Sequence, residues 1–389
     1  MSKQTNQKAS YALREFDKPL YIASHFGFTP IESPRINDLD LKLTENFRTI
    51  HETKAVYDAA EKASFLRFYN EHELASLPHP LSLSYRRSEP GKRTHDHCLH
   101  IIGYPQPMAE AILIRTALSL LEETGHKKLV VEINTIGDKD SISSYERELS
   151  NYVKKIACDL DAENKKILKE NIFEILRMNL PENSFAHIPP SIGSLTSASR
   201  THFKETLECL EHLNVEFRLA HTLVGNPDYN SHNIFAIRDL ENDDLLASGA
   251  RYSRLTKKIG FKKELPAVSI TIFDNPKQTT STKEGPKKTY KEIPKSKFYL
   301  IQLGQEAKLK SLPLIELLRT NRIPVHHFLG RDKLTAQLGS AESLRVPYLL
   351  ILGQKEALDN TVTVRNVSTR AQETINMALV PEYLKHIAL

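Results

Sequence analysis

The sequence predicts an α/β chain in two parts, an α+β body of about 275 residues followed by a small α/β domain from about Phe298 onward. Three observations lead there. The 389 residues exceed what one hydrophobic core usually organises, so two or three domains are expected. Between Asn275 and Lys297, Lys277, Lys283, Lys287, Lys288, Lys291, Lys295 and Lys297 face only Glu284 and Glu292, with Pro276, Gly285, Pro286 and Pro294 among threonines and serines. That segment has almost nothing large and apolar to bury and reads as a solvated linker. After it, strand and helix patterns alternate, which favours a mostly parallel sheet.

In the body, Pro107 opens an amphipathic helix carrying Ala109, Ile112, Leu113, Leu120 and Leu121 on a helical period, and Gly125 closes it. A strand follows at Leu129 to Ile133. The next helix, Ser143 to Ile156, repeats apolar residues at Tyr145, Leu149, Tyr152, Val153 and Ile156. Residues 160–179 and 199–213 also read as helical, whereas 233–239, 244–247 and 267–273 alternate as strands do. In the C-terminal part the expected order is strand 298–303, helix 305–320, strand 323–329, helix 332–344 and strand 348–352. A hairpin, 361–365 with 373–375, and a last helix from Val380 complete it.

The formal net charge of +5 resides wholly in the lysine-rich segment, so any attraction to a polyanion is focused there. With 40% hydrophobic and 26% charged residues, the composition is that of a globular protein. The longest apolar runs, such as Tyr348 to Leu352, are far short of the roughly 20 residues a membrane-spanning helix needs. Residues Met1 to Ser10 lack the apolar stretch of a secretory signal, and three widely spaced cysteines, Cys98, Cys158 and Cys209, suit reduced thiols. Cytoplasmic residence is the expectation.

Several strings resemble segments of the histidyl-tRNA synthetase family, in the family's order. They are Gly27 to Pro34, resembling the motif 1 entry; Ile102-Gly103 through Leu121; Ile133-Asn134-Thr135-Ile136-Gly137-Asp138 and Tyr145 to Tyr152; and Ser199 to Phe203 leading to Leu213-Asn214-Val215. Leu223 to Tyr229 stands where the family has its histidine-binding string L-V-R-G-L-D-Y-Y, and Ser248-Gly249-Ala250-Arg251-Tyr252 resembles G-G-G-R-Y. Leu350 to Gly353, Thr361 to Arg365 and Gln372-Glu373-Thr374 are similar to the family's anticodon-binding domain. The resemblance implies a class II synthetase-like antiparallel sheet with helices over residues 1–274, including a helical insert at about 157–220. It also implies an anticodon-binding-type α/β domain over 298–389.

Forming an aminoacyl adenylate requires cationic donors on the phosphates of ATP, with Mg²⁺ beside them. Arg86, in Tyr85 to Arg93, matches the family's motif 2 arginine, although the same residues also read as a solvated basic turn. Arg67 matches the arginine of the family's R-P-E-G-T string, whose remaining positions fall on Phe68 to Glu71. In the H-Q-F-G-V-E string, the glutamine falls on Asp96 and the glutamate on His100. The arginine expected to hold the reacting carboxylate falls on Gly225 and the second tyrosine on Asn230, while Asp228 and Tyr229 are retained, as ordinary turn chemistry also allows. Motif 3 is missing its arginine, whose place is Pro276. The residual substrate contacts are therefore Arg67, Asp228, Tyr229, Arg251 and Tyr252, and ATP and Mg²⁺ are expected only if the chain is active.

His95, His97, Cys98 and His100 invite a zinc reading, but strand alternation puts the first two and the last two on opposite faces. No metal site is assigned. Lys283, Lys287, Lys288, Lys291, Arg331, Lys333 and Arg365 are the expected RNA contacts. The favoured expectation is a non-catalytic synthetase-like protein that binds tRNA or another RNA and forms a homodimer through motif 1. The alternatives are an active histidine–tRNA ligase with a divergent site and a regulatory subunit of a histidine-biosynthesis enzyme. The C-terminal domain argues against the last.

Overall fold

The computed structural model describes residues 12–47, 55–88, 95–158, 160–178, 187–274, 289–290, 296–330 and 333–387. The body is built on an eight-stranded sheet in the order β1-β2-β3-β8-β7-β6-β4-β5. Its strands are β1 (Thr29–Pro30), β2 (Leu81–Ser88), β3 (His95–Ile102), β4 (Leu129–Gly137), β5 (Phe217–Leu219), β6 (Ser231–Asp239), β7 (Leu245–Arg251) and β8 (Ala267–Ile272). Every neighbouring pair is antiparallel except the two outermost, β1 with β2 and β4 with β5.

The helices of the body are α1 (Lys18–His25), α2 (Asp38–Thr44), α3 (Ala55–Glu71), α4 (Met108–Glu123), α5 (Lys139–Lys155), α6 (Ala162–Glu170), α7 (Ser197–His212) and α8 (Ser253–Lys258). Local chemistry sets their ends. Asp17 accepts from Leu20 N at the start of α1, Asp138 from Ser141 N at α5 and Thr196 from Ser199 N at α7, each satisfying a backbone donor that the first turn leaves open. Gly125, at φ +104°, follows α4 where the chain must turn back. The helices α4, α5 and α7 cover the segments in which helical periodicity was read, but α5 begins four residues earlier than expected. The stretch read as one helix over 160–179 is instead α6 followed by a 3-10 turn at Ile172–Leu176. The long helix α3 was not anticipated, because its apolar residues do not form a single stripe.

The C-terminal part is a five-stranded sheet, β10-β9-β11-β12-β13, formed by β9 (Phe298–Gln302), β10 (His326–His327), β11 (Tyr348–Leu352), β12 (Thr361–Asn366) and β13 (Gln372–Asn376). The pairings of β9 with β10 and β11 are parallel, and those through β12 and β13 are antiparallel. Helices α9 (Gln305–Thr320), α10 (Leu334–Leu344), α11 (Gln354–Asp359) and α12 (Val380–Ile387) complete it. The expected strand over 323–329 shrinks to two residues, and α11 was not foreseen.

The two sheets share one core. Ala23 of α1 and Phe26 just after it, Leu113 and Ala117 of α4, and Leu312 and Ile315 of α9 belong to the same buried cluster. Polar contacts reinforce the junction: His327 Nε2 donates to the His25 carbonyl at 2.7 Å, Lys308 Nζ meets Tyr104 Oη at 3.2 Å, and Arg319 pairs with Glu123 at 3.5 Å. Within the segment expected as a linker, Tyr290 exchanges backbone hydrogen bonds with Phe16 and stacks on Tyr21, ring centres 4.1 Å apart. Lys283, Lys287, Lys288, Lys291, Pro276 and Arg331 lie outside the described residues, as does the turn at 89–94. Among the described residues, no helix is long and apolar enough to cross a membrane.

Candidate functional site

A cavity of about 520 Å³ opens on the face of the large sheet beneath α3 and the loop that precedes β6, with Asp58, Lys62, Arg87, Gly225, Tyr229 and Thr271 among its walls. The β2–β3 register decides which arginine enters it. Arg86 pairs with His97 and Arg87 with Asp96, so the two arginines stand on opposite faces. Arg87, its side chain only 16% exposed, donates to Asp96 Oδ2 at 2.6 Å and lines the cavity. Arg86 points away, 3.7 Å from Asp17 and 3.2 Å from His95 Nε2. Arg87 rather than Arg86, the residue matched to the motif 2 arginine, therefore lines this cavity: a match along a string fixes order, but on a strand an offset of one residue reverses the face.

Arg67 is also elsewhere. It lies two turns beyond the cavity on α3, held by both oxygens of Asp40 at 3.0 and 3.1 Å and by Glu71 at 2.9 Å, in a separate hollow of about 320 Å³. Asp58 and Lys62, near the start of α3, face the cavity instead. They form an ion pair, and Tyr229 donates its hydroxyl to the other oxygen of Asp58 at 2.8 Å. Burial, reinforced by Asp58, lifts the Tyr229 phenol well above its ordinary range, so it remains a donor.

Behind this wall lies a buried relay. Tyr252 Oη is 2.7 Å from His100 Nδ1, His100 Nε2 is 3.0 Å from Tyr85 Oη, and Tyr85 donates to Glu61. Burial lowers the His100 pKa, so the ring is neutral at pH 7. The network then orients every proton one way: Tyr252 donates to Nδ1, Nε2–H to Tyr85, and Tyr85 to the carboxylate. Burial opposes ionisation of Glu61, but hydrogen bonding from His100 and the nearby cations Lys62 and Arg87 outweigh it and hold the carboxyl at about 2. A buried carboxylate from α3 thus stands beside His100 of β3. Its 2% exposure seals it inside. Sequence reasoning missed Glu61 because it lies 39 residues from His100.

Gly225 and Asn230 depart from the family string as a pair. The Asn230 side chain folds back to accept from Asn226 N at 2.7 Å, and a Cβ built on Gly225 would come within 2.4 Å of its oxygen. No side chain fits there unless Asn230 moves. Asp228 sits outside the cavity, 3.8 Å from Lys258. Arg251 is buried and gripped through both nitrogens of its fork by Glu110, at 2.9 and 2.6 Å, with the Tyr104 and Gln106 carbonyls taking further hydrogen bonds. Burial alone would raise the Glu110 carboxyl, yet Arg251 and His202 bring it to about 2. Of the residual substrate contacts, only Tyr229 reaches the cavity; Arg251 and Tyr252 are committed to buried networks.

The histidines of β3 divide as alternation requires. His97 reaches Asp17 at 3.0 Å on one face, while Cys98 contacts Thr271 and His100 its relay on the other. Among the described residues, no group of three or more His, Cys, Asp or Glu side chains could hold a metal. Of the expected RNA contacts that are described, Lys333 is exposed at the start of α10 and Arg365 is half-buried on β12.

Comparison with known proteins agrees with this architecture. The family described as "Anticodon binding domain" matches residues 297–387. The histidine–tRNA ligase of Thermosynechococcus vestitus is 25% identical over 98% of this chain and 89% of its own length. That of Halothermothrix orenii is 27% identical over 84% and 80%. The apo histidyl-tRNA synthetase of S. aureus shares the fold at a TM-score of 0.51, with 19% identity over 94% of this chain and 93% of that one. The eight-stranded, mostly antiparallel sheet, the ordered strings along it and the C-terminal match together make this chain a member of the histidyl-tRNA synthetase family with a C-terminal anticodon-binding domain.

Proposed function

We propose that this chain is a non-catalytic member of its family that binds tRNA or another RNA through its C-terminal domain. One observation carries the reading: among the described residues, the cations lining the cavity are already neutralised from within. Lys62 is paired with Asp58, Arg87 with Asp96 at 2.6 Å, Arg177 with Glu174 at 3.6 Å and Arg238 with Glu132 at 2.8 Å. A magnesium–triphosphate needs donors whose charge is not already spent on carboxylates, and its transition state needs them more. Among the described residues, the cavity lining does not fit ATP with Mg²⁺. The filled position beside Gly225 removes the reacting carboxylate's partner as well.

Cytoplasmic residence and a homodimer belong to the same proposal. The Gly27 to Pro34 string is followed by α2, whose exposed Leu39, Leu41 and Leu43 supply apolar surface suited to a subunit contact. Sedimentation at micromolar concentration should give a dimer, and a monomer would remove that element. An active ligase is the second reading, favoured by Arg87, which does face the cavity beside Tyr229. Equilibrium dialysis separates the two: the non-catalytic reading expects tRNA to be retained without ATP or histidine, and tight retention of both small molecules would support the enzyme.

A further inference from the structure

Among the described residues of the C-terminal domain, three other than glycine or asparagine stand at positive φ, and all are arginines: Arg322 at +61°, Arg345 at +52° and Arg370 at +61°. An L side chain is disfavoured in this region, where glycine is the usual occupant. Each arginine closes a turn. Arg322 follows α9 and donates its N–H to the Arg319 carbonyl, Arg345 caps α10, and Arg370 donates to the Asn366 carbonyl between β12 and β13.

Topology gathers them at one end. The helices α9 and α10 each lead into a parallel strand, so their C-termini lie where β10 and β11 begin. Asn366, the last residue of β12, pairs with Tyr348, the first of β11, and Val367 N bonds to the Pro347 carbonyl at 2.9 Å. The row therefore runs across the sheet from β10 to β12 and its hairpin, on the order of 15 to 20 Å at the ordinary strand spacing. Lys297 enters β9 at the same end, bonded through its carbonyl to Tyr348 N, and Lys385 of α12 reaches Asn321 Oδ1 at 3.0 Å. All five side chains belong to exposed residues. Among the described residues none of the three arginines forms an ion pair, whereas Arg319, three residues before Arg322, is held by Glu316 and Glu123. Lys333 lies at the opposite end of α10.

We propose that this arginine row is a second RNA contact, gripping the phosphate backbone at the end of the domain away from Lys333; it rests on the RNA-binding reading above. Exposed guanidinium groups on a disfavoured backbone contribute nothing to folding that glycine would not serve better. Their planar forks match phosphate oxygens, and a row of separate turns tracks a backbone without reading bases. The lysine-rich segment joins the domain at this same end, through Lys297.

The test uses the full chain and fluorescent unfractionated tRNA, with anisotropy followed across a sodium chloride series. The R322G/R345G/R370G variant should bind at least tenfold more weakly, with a log–log salt slope shallower by about 2 to 3. Its melting temperature should be unchanged or higher, because glycine relaxes the three turns. The corresponding triple lysine variant should retain most of the slope. Unchanged affinity and slope would overturn the proposal and leave the row to an acidic protein, and weaker binding with a lowered melting temperature would overturn it by making the arginines structural. Wild-type protein that binds no tRNA would remove the RNA reading itself, whereas binding lost in K333Q but not in the glycine variant would remove this surface alone.

Discussion

The cavity of the body and the end of the C-terminal sheet treat charge in opposite ways. Among the described residues, each cation lining the cavity is matched by a carboxylate of the same chain, and the Glu110–Arg251 pair and the Glu61–His100 contact are sealed behind it. At the sheet end, arginines stand exposed on turns that would favour glycine. The difference teaches where an external partner can be accommodated: the first region has turned its charges into internal structure, and the second presents them to solvent.

The most damaging change should therefore be internal. Replacing Arg251 by Met strands the fully buried Glu110 carboxylate, and losing one partner of a buried pair costs about 3 to 5 kcal/mol. Denaturant unfolding of Arg251→Met should show a loss of that size, while Arg370→Gly should stay within about 0.5 kcal/mol. Comparable small effects at both sites would erase the contrast.

Acid should act through the buried histidines before it acts through the buried carboxylates. Burial lowers His25 and His327 to about 4, below the 6.5 of the unfolded chain. Their stabilisation is fully present above pH 6.5 and is lost as pH falls toward 4. Glu61 and Glu110, held at about 2 against 4.5, contribute above pH 4.5 and fail only as pH falls from there toward 2. Hydrogen exchange at pH 5 should show α1 and β10 loosening together. Unchanged protection of both elements at pH 5 would contradict that order.

A smaller effect tests the coupled loop. Gly225→Ala forces its new methyl against Asn230 and should cost about 1 to 3 kcal/mol, the usual range for overpacking. Adding Asn230→Gly should recover part of that loss, a non-additivity read from a double-mutant cycle. Strict additivity would mean that the two residues are independent. The smallest change, Arg86→Ala, should leave stability within about 0.5 kcal/mol, because that side chain is 42% exposed and its partner Asp17 is separately held by His97.

The parts of this molecule legible in the sequence are those governed by local periodicity. The helix after Pro107, the strand from Leu129 and the C-terminal alternation follow apolar spacing and turn residues, and helix 305–320 and strand 348–352 have the expected limits. The cavity was legible only as a set of departures. Gly225, Asn230 and His100 could be marked as changed, but what fills their places comes from contacts distant in the chain, such as Glu61 to His100 and Asp58 to Tyr229. Arg86 and Arg87 show the limit most clearly: adjacent in sequence and alike in chemistry, they differ only in the face the strand gives them. The arginine row had no sequence signal, since positive φ at Arg322, Arg345 and Arg370 is a property of the folded turns.

Histidine-dependent exchange between ATP and pyrophosphate tests the central claim most directly, because it reports adenylate formation alone and needs no tRNA. Losing one charge-stabilising donor commonly costs about 10² to 10³ in rate, so a cavity with its cations paired internally and its carboxylate-binding arginine gone should give no exchange above background. Any residual exchange that survives Arg87→Ala would be traced to contaminating host enzyme. Robust exchange abolished by Arg87→Ala, yet untouched by Arg86→Ala, would contradict the account and show that this cavity still makes an adenylate.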